Sequence, residues 1–249
     1  MRIEILGCSG SVMPGFNTTS ILINEKILID VGSAASVLPE SSLAQIRNIL
    51  ITHSHIDHIK ELPFLIDALC SRKKRGIRVL GSEPTLDALK DHIFNGHIWP
   101  DMEELAIDSG IVSLESIPQD WFDLEGIRVK AFPVDHISGS IGHVLFEEGK
   151  YVLFTGDTGY NQGLFDVIKS FGADLKACFI EASFPNSMSR IASISHHLTP
   201  NLIMEGLDGV LSPSTRVIAY HIKPKHIDEV LAELPGRYEY IRGGEVISL

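Results

Sequence analysis

The densest chemistry in the chain is Thr52-His53-Ser54-His55-Ile56-Asp57-His58-Ile59, a His-x-His-x-Asp-His array directly after the apolar run Ile49-Leu50-Ile51. While the backbone stays extended, alternate side chains share one side, so His53 and His55 can meet one ion. Where the chain turns into a helix, Asp57 and His58 can face a second. Imidazole and carboxylate donors of this kind suit zinc first, with manganese or iron as alternatives.

Two ions need more donors, and these must come from elsewhere in the chain. His136 follows Ala131-Phe132-Pro133-Val134-Asp135, Asp157 closes Phe154-Thr155-Gly156-Asp157, and His221 follows Arg216-Val217-Ile218-Ala219-Tyr220. Each sits just past a run that reads as a strand, and together they complete two metal shells.

The elements that must position them repeat. Ser20-Ile21-Leu22-Ile23, a polar turn and Ile27-Leu28-Ile29 lead into Asp30-Val31-Gly32, while His143 to Phe146, a turn and Tyr151 to Phe154 lead into Asp157-Thr158-Gly159. This is the pattern of two β-hairpins, each delivering an aspartate at the end of a buried strand. Helices are expected over 59–71, 83–95, 161–171, 199–207 and 225–234, and strands over 48–52, 175–181 and 216–220. Alternation of this kind predicts sheets with helices packed outside them. No linker or low-complexity stretch interrupts it, so a single domain over 1–249 is expected.

Composition bounds the function. The 249 residues are 44% hydrophobic and 21% charged, enough apolar content for a sizeable core, and no stretch has the length and apolarity of a membrane helix. Lys plus Arg is 21 against 32 Asp plus Glu, a net charge of −11 that disfavours a long nucleic acid as partner. The basic run Arg72-Lys73-Lys74-Arg75 reads as a solvated loop. Cys8, Cys70 and Cys178 are too few and scattered for a disulfide framework and read as buried small side chains. The acidic, strand-like start Met1-Arg2-Ile3-Glu4 is unlike a signal peptide, and a cytoplasmic location is the expectation.

The array His53 to His58, followed in order by His136, Asp157 and His221, resembles the metallo-β-lactamase superfamily over nearly the whole chain. That resemblance implies an α/β (α+β) fold, an αββα sandwich of two sheets flanked by helices, with two divalent ions in a cleft at one edge. It assigns His53, His55 and His136 to the first ion, Asp57, His58 and His221 to the second, and Asp157 to both. Asp30 resembles the family's aspartate that orients the metal loop.

Further stretches narrow the resemblance. Leu6-Gly7-Cys8-Ser9-Gly10-Ser11 with Asn17-Thr18-Thr19-Ser20 is similar to the opening of the phosphodiesterase branch, which includes tRNA 3′-processing ribonucleases. Thr85 to Asn95 with Ile98-Trp99-Pro100, Glu181-Ala182-Ser183-Phe184-Pro185-Asn186, Ser195-His196-His197-Leu198-Thr199-Pro200 and His221-Ile222-Lys223-Pro224 resemble the class II cyclic nucleotide phosphodiesterases. One departure is Gly159, where that family often has a hydroxyl residue.

A 3′,5′-cyclic nucleotide is then the expected small-molecule partner, cyclic AMP and then cyclic GMP, with a nucleoside 5′-monophosphate as product. Two divalent ions can generate a bridging hydroxide at neutral pH and neutralise charge on phosphorus. The departing 3′ oxygen needs a proton, for which His197 is the candidate, with Glu181 fixing and charging its imidazole. Asp57, His197 and Glu181 form the expected catalytic set. His92, Asn95 and Trp99, spaced along one face of a helix, and Thr158 are candidate substrate contacts, with Trp99 and Phe94 as a stacking surface. The resemblance also allows a homodimer. The competing readings are a tRNA 3′-processing endoribonuclease, a hydrolase of another small phosphodiester, and a non-catalytic nucleotide- or metal-binding regulator.

Overall fold

The computed structural model describes residues 1–70, 76–101 and 112–249. The basic run 72–75 and the side chain of Cys70 lie outside that description. Cys8 and Cys178 are buried free thiols, as expected.

Among the described residues the strands form two sheets of seven. The first contains β1 (Arg2–Gly7), β2 (Ser20–Ile23), β3 (Ile27–Ile29), β4 (Asn48–Leu50), β5 (Ile77–Gly81), β6 (Val112–Ser116) and, from the far end of the chain, β14 (Val246–Ser248). The second contains β7 (Phe122–Leu124), β8 (Ile127–Pro133), β9 (Ile141–Glu147), β10 (Lys150–Phe154), β11 (Leu175–Glu181), β12 (Arg216–Tyr220) and β13 (Tyr238–Tyr240).

The repeat seen in the sequence is a repeat of topology. Along β14-β1-β2-β3-β4-β5-β6 three antiparallel pairings are followed by three parallel ones. Along β7-β8-β9-β10-β11-β12-β13 the same order recurs. The hairpins β2–β3 and β9–β10 mark the switch in each sheet, and each hands the chain to a loop carrying an aspartate.

Alternation along the strands builds the layers. Ile21, Ile23, Ile29 and Leu50 of one sheet meet Leu145, Phe154, Phe179 and Ile218 of the other in a shared core. The alternate residues face outwards, where Leu22, Leu28 and Ile49 pack under Leu62, Leu65, Leu86 and Leu89. On the opposite side Val144, Leu153 and Ile180 pack under Leu164, Phe165, Ile168 and Ile203. The result is the expected αββα sandwich. Among the described residues no helix is long and apolar enough to cross a membrane.

Two helix expectations change. The helix expected over 59–71 is two pieces, Ile56–Ile59 and Leu62–Cys70, because the turn between them docks on the loop after β3: Val31 N donates to His58 O and Glu61 N to Val31 O. The helix expected over 83–95 ends at His92, where Asn95 folds back, its Nδ2 donating to Asp91 O and its Oδ1 accepting from His97 N and Ile98 N.

Candidate metal centre

Seven side chains predicted from scattered motifs converge at one edge of the sandwich, beyond the carboxyl ends of β4, β8, β10 and β12. Parallel strands end together there, so the loops that follow them lie side by side. Donor atoms of His53, His55, His136 and Asp157 all lie within 4.8 Å of one another, as do those of Asp57, His58 and His221. Asp157 lies between the groups, with Oδ2 at 3.8 Å from His53 Nε2, 4.0 Å from His136 Nε2 and 3.3 Å from both His58 Nε2 and His221 Nε2.

The donor chemistry fits divalent cations. His53 Nε2 and Asp157 Oδ1 are buried with no hydrogen-bond partner among the described residues, a costly state for polar atoms unless they face an ion. Burial depresses the pKa of His53, His55 and His136, leaving neutral imidazoles with lone pairs to donate. In the second group burial would lower His58, but the charges of Asp157 and Asp30 outweigh it and hold its pKa well above the ordinary histidine value. Burial would raise Asp157, yet the imidazoles of His221 and His58 keep its carboxyl well below the usual range. The pocket favours positive charge at its centre.

Asp30 sets the loop that carries the array. Its Oδ1 accepts from Thr52 N at 2.8 Å, and its Oδ2 accepts from Thr52 Oγ1 at 2.8 Å and lies 2.7 Å from His58 Nδ1. That last contact takes the Nδ1 proton and leaves His58 Nε2 facing the cluster. Asp30 and His221 achieve their positions with left-handed backbone, φ 57° and 58°, the kind of strain that concentrates at functional sites. Gly10 makes room for the latter: a Cβ there would lie 2.6 Å from His221 O and 3.0 Å from its ring.

Beside the cluster, His197 Nδ1 lies 2.8 Å from Glu181 Oε1, and donor atoms of His197, Asp157 and His221 fall within 4.8 Å of one another. Burial would depress the His197 pKa, but the Glu181 charge and hydrogen bond more than offset it, and the value is raised. The neighbouring His196 turns to the surface and meets Asp135, Nδ1 to Oδ2 at 3.2 Å. A cavity of about 550 Å³ opens next to His197, lined among others by Asp135, Tyr160, Asn186, His196 and Asn201.

The remaining substrate candidates are placed differently. The helical face expected of His92, Asn95 and Trp99 does not form, because the helix stops at His92 and the Asn95 carboxamide is spent on its own turn. Phe94 is buried in the core and offers no stacking surface, while the half-buried Trp99 makes a T-shaped contact with Phe64. Thr158 is fully buried, and its hydroxyl donates to Gly159 O and accepts from Asp135 N, which leaves it inside the loop.

Residues that motif reading passed over also matter. Ser183 and Asp135 both touch the His197 region, and a signal for Ser183 was available: in Glu181-Ala182-Ser183, the two polar residues share one side of an extended chain.

Two stacked sheets flanked by helices, with paired His/Asp clusters at one edge, define a metallo-β-lactamase fold, and with it a metal-dependent hydrolase. The chain belongs to the β-lactamase superfamily: residues 25–222 match the family described as "Beta-lactamase superfamily domain". It is 24% identical over 278 aligned positions to a Yersinia pestis protein named "Probable 3′,5′-cyclic-nucleotide phosphodiesterase", covering 90% of this chain and 78% of that one. It is 29% identical over 175 positions to "Ribonuclease Z" of Pyrococcus abyssi, covering 66% of this chain and 54% of the relative, so it spans about half that protein's length. In structure it resembles unliganded yeast PDE1 with a TM-score of 0.83 at 18% identity, over 100% of this chain and 99% of that one.

Proposed function

We propose that the protein is a two-metal phosphodiesterase that hydrolyses 3′,5′-cyclic nucleotides, cyclic AMP and also cyclic GMP, to nucleoside 5′-monophosphates. The observation that carries the phosphodiester chemistry of this reading is the Glu181–His197 pair, buried directly beside both donor clusters. In this reading His53, His55 and His136 hold one ion, Asp57, His58 and His221 the other, and Asp157 touches both, with zinc as the preferred metal. When bound, the ions supply a nucleophile at neutral pH and positive charge next to phosphorus.

The chain's own residues do the rest. Glu181 accepts from His197 Nδ1–H, so Nε2 is the atom left to face the substrate and to protonate the departing 3′ oxygen. The Glu181 charge and hydrogen bond raise the His197 pKa and so favour the protonated imidazole that this step needs. In a cyclic nucleotide the departing oxygen stays on the nucleoside, and the cavity beside His197 offers it a Tyr160 wall and the amide groups of Asn186 and Asn201.

The net charge of −11 supports a small anion over a long one. Similarity to Ribonuclease Z supports a second reading, a tRNA 3′-processing endoribonuclease. Hydrolysis of cyclic AMP and cyclic GMP after metal removal and zinc or manganese readdition, with products separated by chromatography, decides between them. Metal-dependent release of 5′-monophosphate is expected. Cleavage of tRNA precursors with no turnover of either cyclic nucleotide would replace the first reading with the second.

A further inference from the structure

Glu181, His197 and His221 meet on a side chain to which neither the metal assignment nor the proton transfer gives a role. Ser183 is fully buried. Its Oγ lies 2.8 Å from Glu181 Oε2, 3.0 Å from His221 Nδ1 and 3.1 Å from His197 Nδ1. A serine hydroxyl has one proton to give and two lone pairs to receive with, so these contacts cannot all run the same way.

The direction of each can be worked out. Glu181 accepts from the amides of Thr158, Ser183 and Leu198 at 3.1, 2.9 and 3.2 Å, the pattern of an acceptor-only carboxylate. The Ser183 proton therefore goes to Glu181 Oε2, because a charge-assisted bond at 2.8 Å outcompetes the neutral His221 carbonyl at 3.2 Å. What remains on Ser183 Oγ is acceptor capacity, which His221 Nδ1 can meet only as a donor. With its proton on Nδ1, His221 has its lone pair on Nε2, the atom 3.3 Å from Asp57 Oδ2 and 3.1 Å from His58 Nε2.

We infer that Ser183 is a positioning residue that links Glu181 to His221, so that one buried carboxylate orients two groups. Oε1 holds the imidazole of His197, and Oε2, through one hydroxyl, holds His221 with Nε2 toward the second donor cluster. His58, on the other side of that cluster, is held directly by Asp30. The two Nε2 atoms lie 3.1 Å apart, both facing the second donor cluster. The two carboxylates thus fix the ring orientation of both imidazoles of the second cluster.

This inference rests on the reading above only in taking His221 as a metal ligand. Zinc affinity measured by chelator competition on wild type, Ser183→Ala and Ser183→Thr tests it. Ser183→Ala is expected to weaken one of the two zinc ions by about 10–100-fold while leaving the other in place, and Ser183→Thr, which keeps the hydroxyl, to restore most of the loss. A folded Ser183→Ala protein that holds both zinc ions as wild type does would overturn it. Nitrogen NMR of zinc-loaded wild type needs no variant: a proton on His221 Nδ1 supports the assignment, and zinc on Nδ1 overturns it. Absence of cyclic nucleotide turnover in protein holding two zinc ions would remove the substrate reading and leave these outcomes unaffected.

Discussion

The amide of Gly159 donates to the carbonyl oxygen of Asp135 across 2.6 Å, and a Cβ at Gly159 would lie 2.8 Å from the Asp135 carboxylate. The same Cβ would approach His196 Cα to 3.4 Å. Asp135 precedes His136 and pairs with His196, while His136 Nδ1 hydrogen-bonds His196 O at 2.9 Å. The glycine that departs from the family pattern therefore lets three loops close around the site.

Gly159→Ser should turn the Asp135 carboxylate away from His196 and cost about 1 kcal/mol, the low end of overpacking because the crowded atom ends a flexible side chain. Turnover should fall more than that loss of stability explains, because the Asp135–His196 contact it breaks lies next to His197. Thermal unfolding and steady-state kinetics on one preparation check this, and a variant with wild-type melting and turnover would mean that the loop gives way freely.

Asp157→Ala and Asp57→Ala should lose bound metal and activity together, read by elemental analysis after gel filtration. Asp30→Asn should be milder, weakening metal by about 10–100-fold through His58 and Thr52. Full metal content in Asp157→Ala would remove it from the ligand set.

His197→Ala should keep its metals and slow turnover by roughly 10²–10⁴-fold, the ordinary contribution of a positioned acid. An equal fall in metal content would show that His197 is a ligand instead.

The pH profile follows from the raised His197 pKa. An acid must hold its proton to donate it, so activity should persist above the ordinary histidine range and decline as pH rises through the raised value. The profile of His197→Ala should lack that alkaline decline, and a decline of unchanged position in the variant would assign it to another group.

His143 makes a stability prediction away from the chemistry. It is fully buried on β9 with neither ring nitrogen hydrogen-bonded among the described residues, and burial pushes its pKa down to about 3. The unfolded chain takes up a proton below its ordinary value near pH 6.5 and the folded chain does not, so stability present above that pH is lost as pH falls toward 3. The slope is up to about 1.4 kcal/mol per pH unit. His143→Leu should flatten this loss in urea titrations at pH 7 and pH 5, and equal losses in both proteins would place the acid sensitivity elsewhere.

What could be read from the chain was whatever neighbouring residues decide. The alternation of Ile21, Ile23, Ile27 and Ile29 specifies a buried hairpin wherever it occurs, and His53 to His58 lie close together in any extended-then-helical segment. His136, Asp157 and His221 stood out because each follows an apolar run, and a strand end is where a sheet leaves side chains free to converge.

The array His53 to His58 and the two hairpins with their aspartates were settled by the sequence alone, because each follows from the period of a single element, while the strand-end donors His136 and His221 were legible through their order in the resemblance. Three-dimensional packing alone decided that Ser183 joins Glu181 and His197 to His221, and that Asn95 and Thr158 spend their polar groups on their own loops. Those outcomes depend on which loops pack side by side and how helices end, and a hydrogen bond between distant residues is set by that packing rather than by any local pattern.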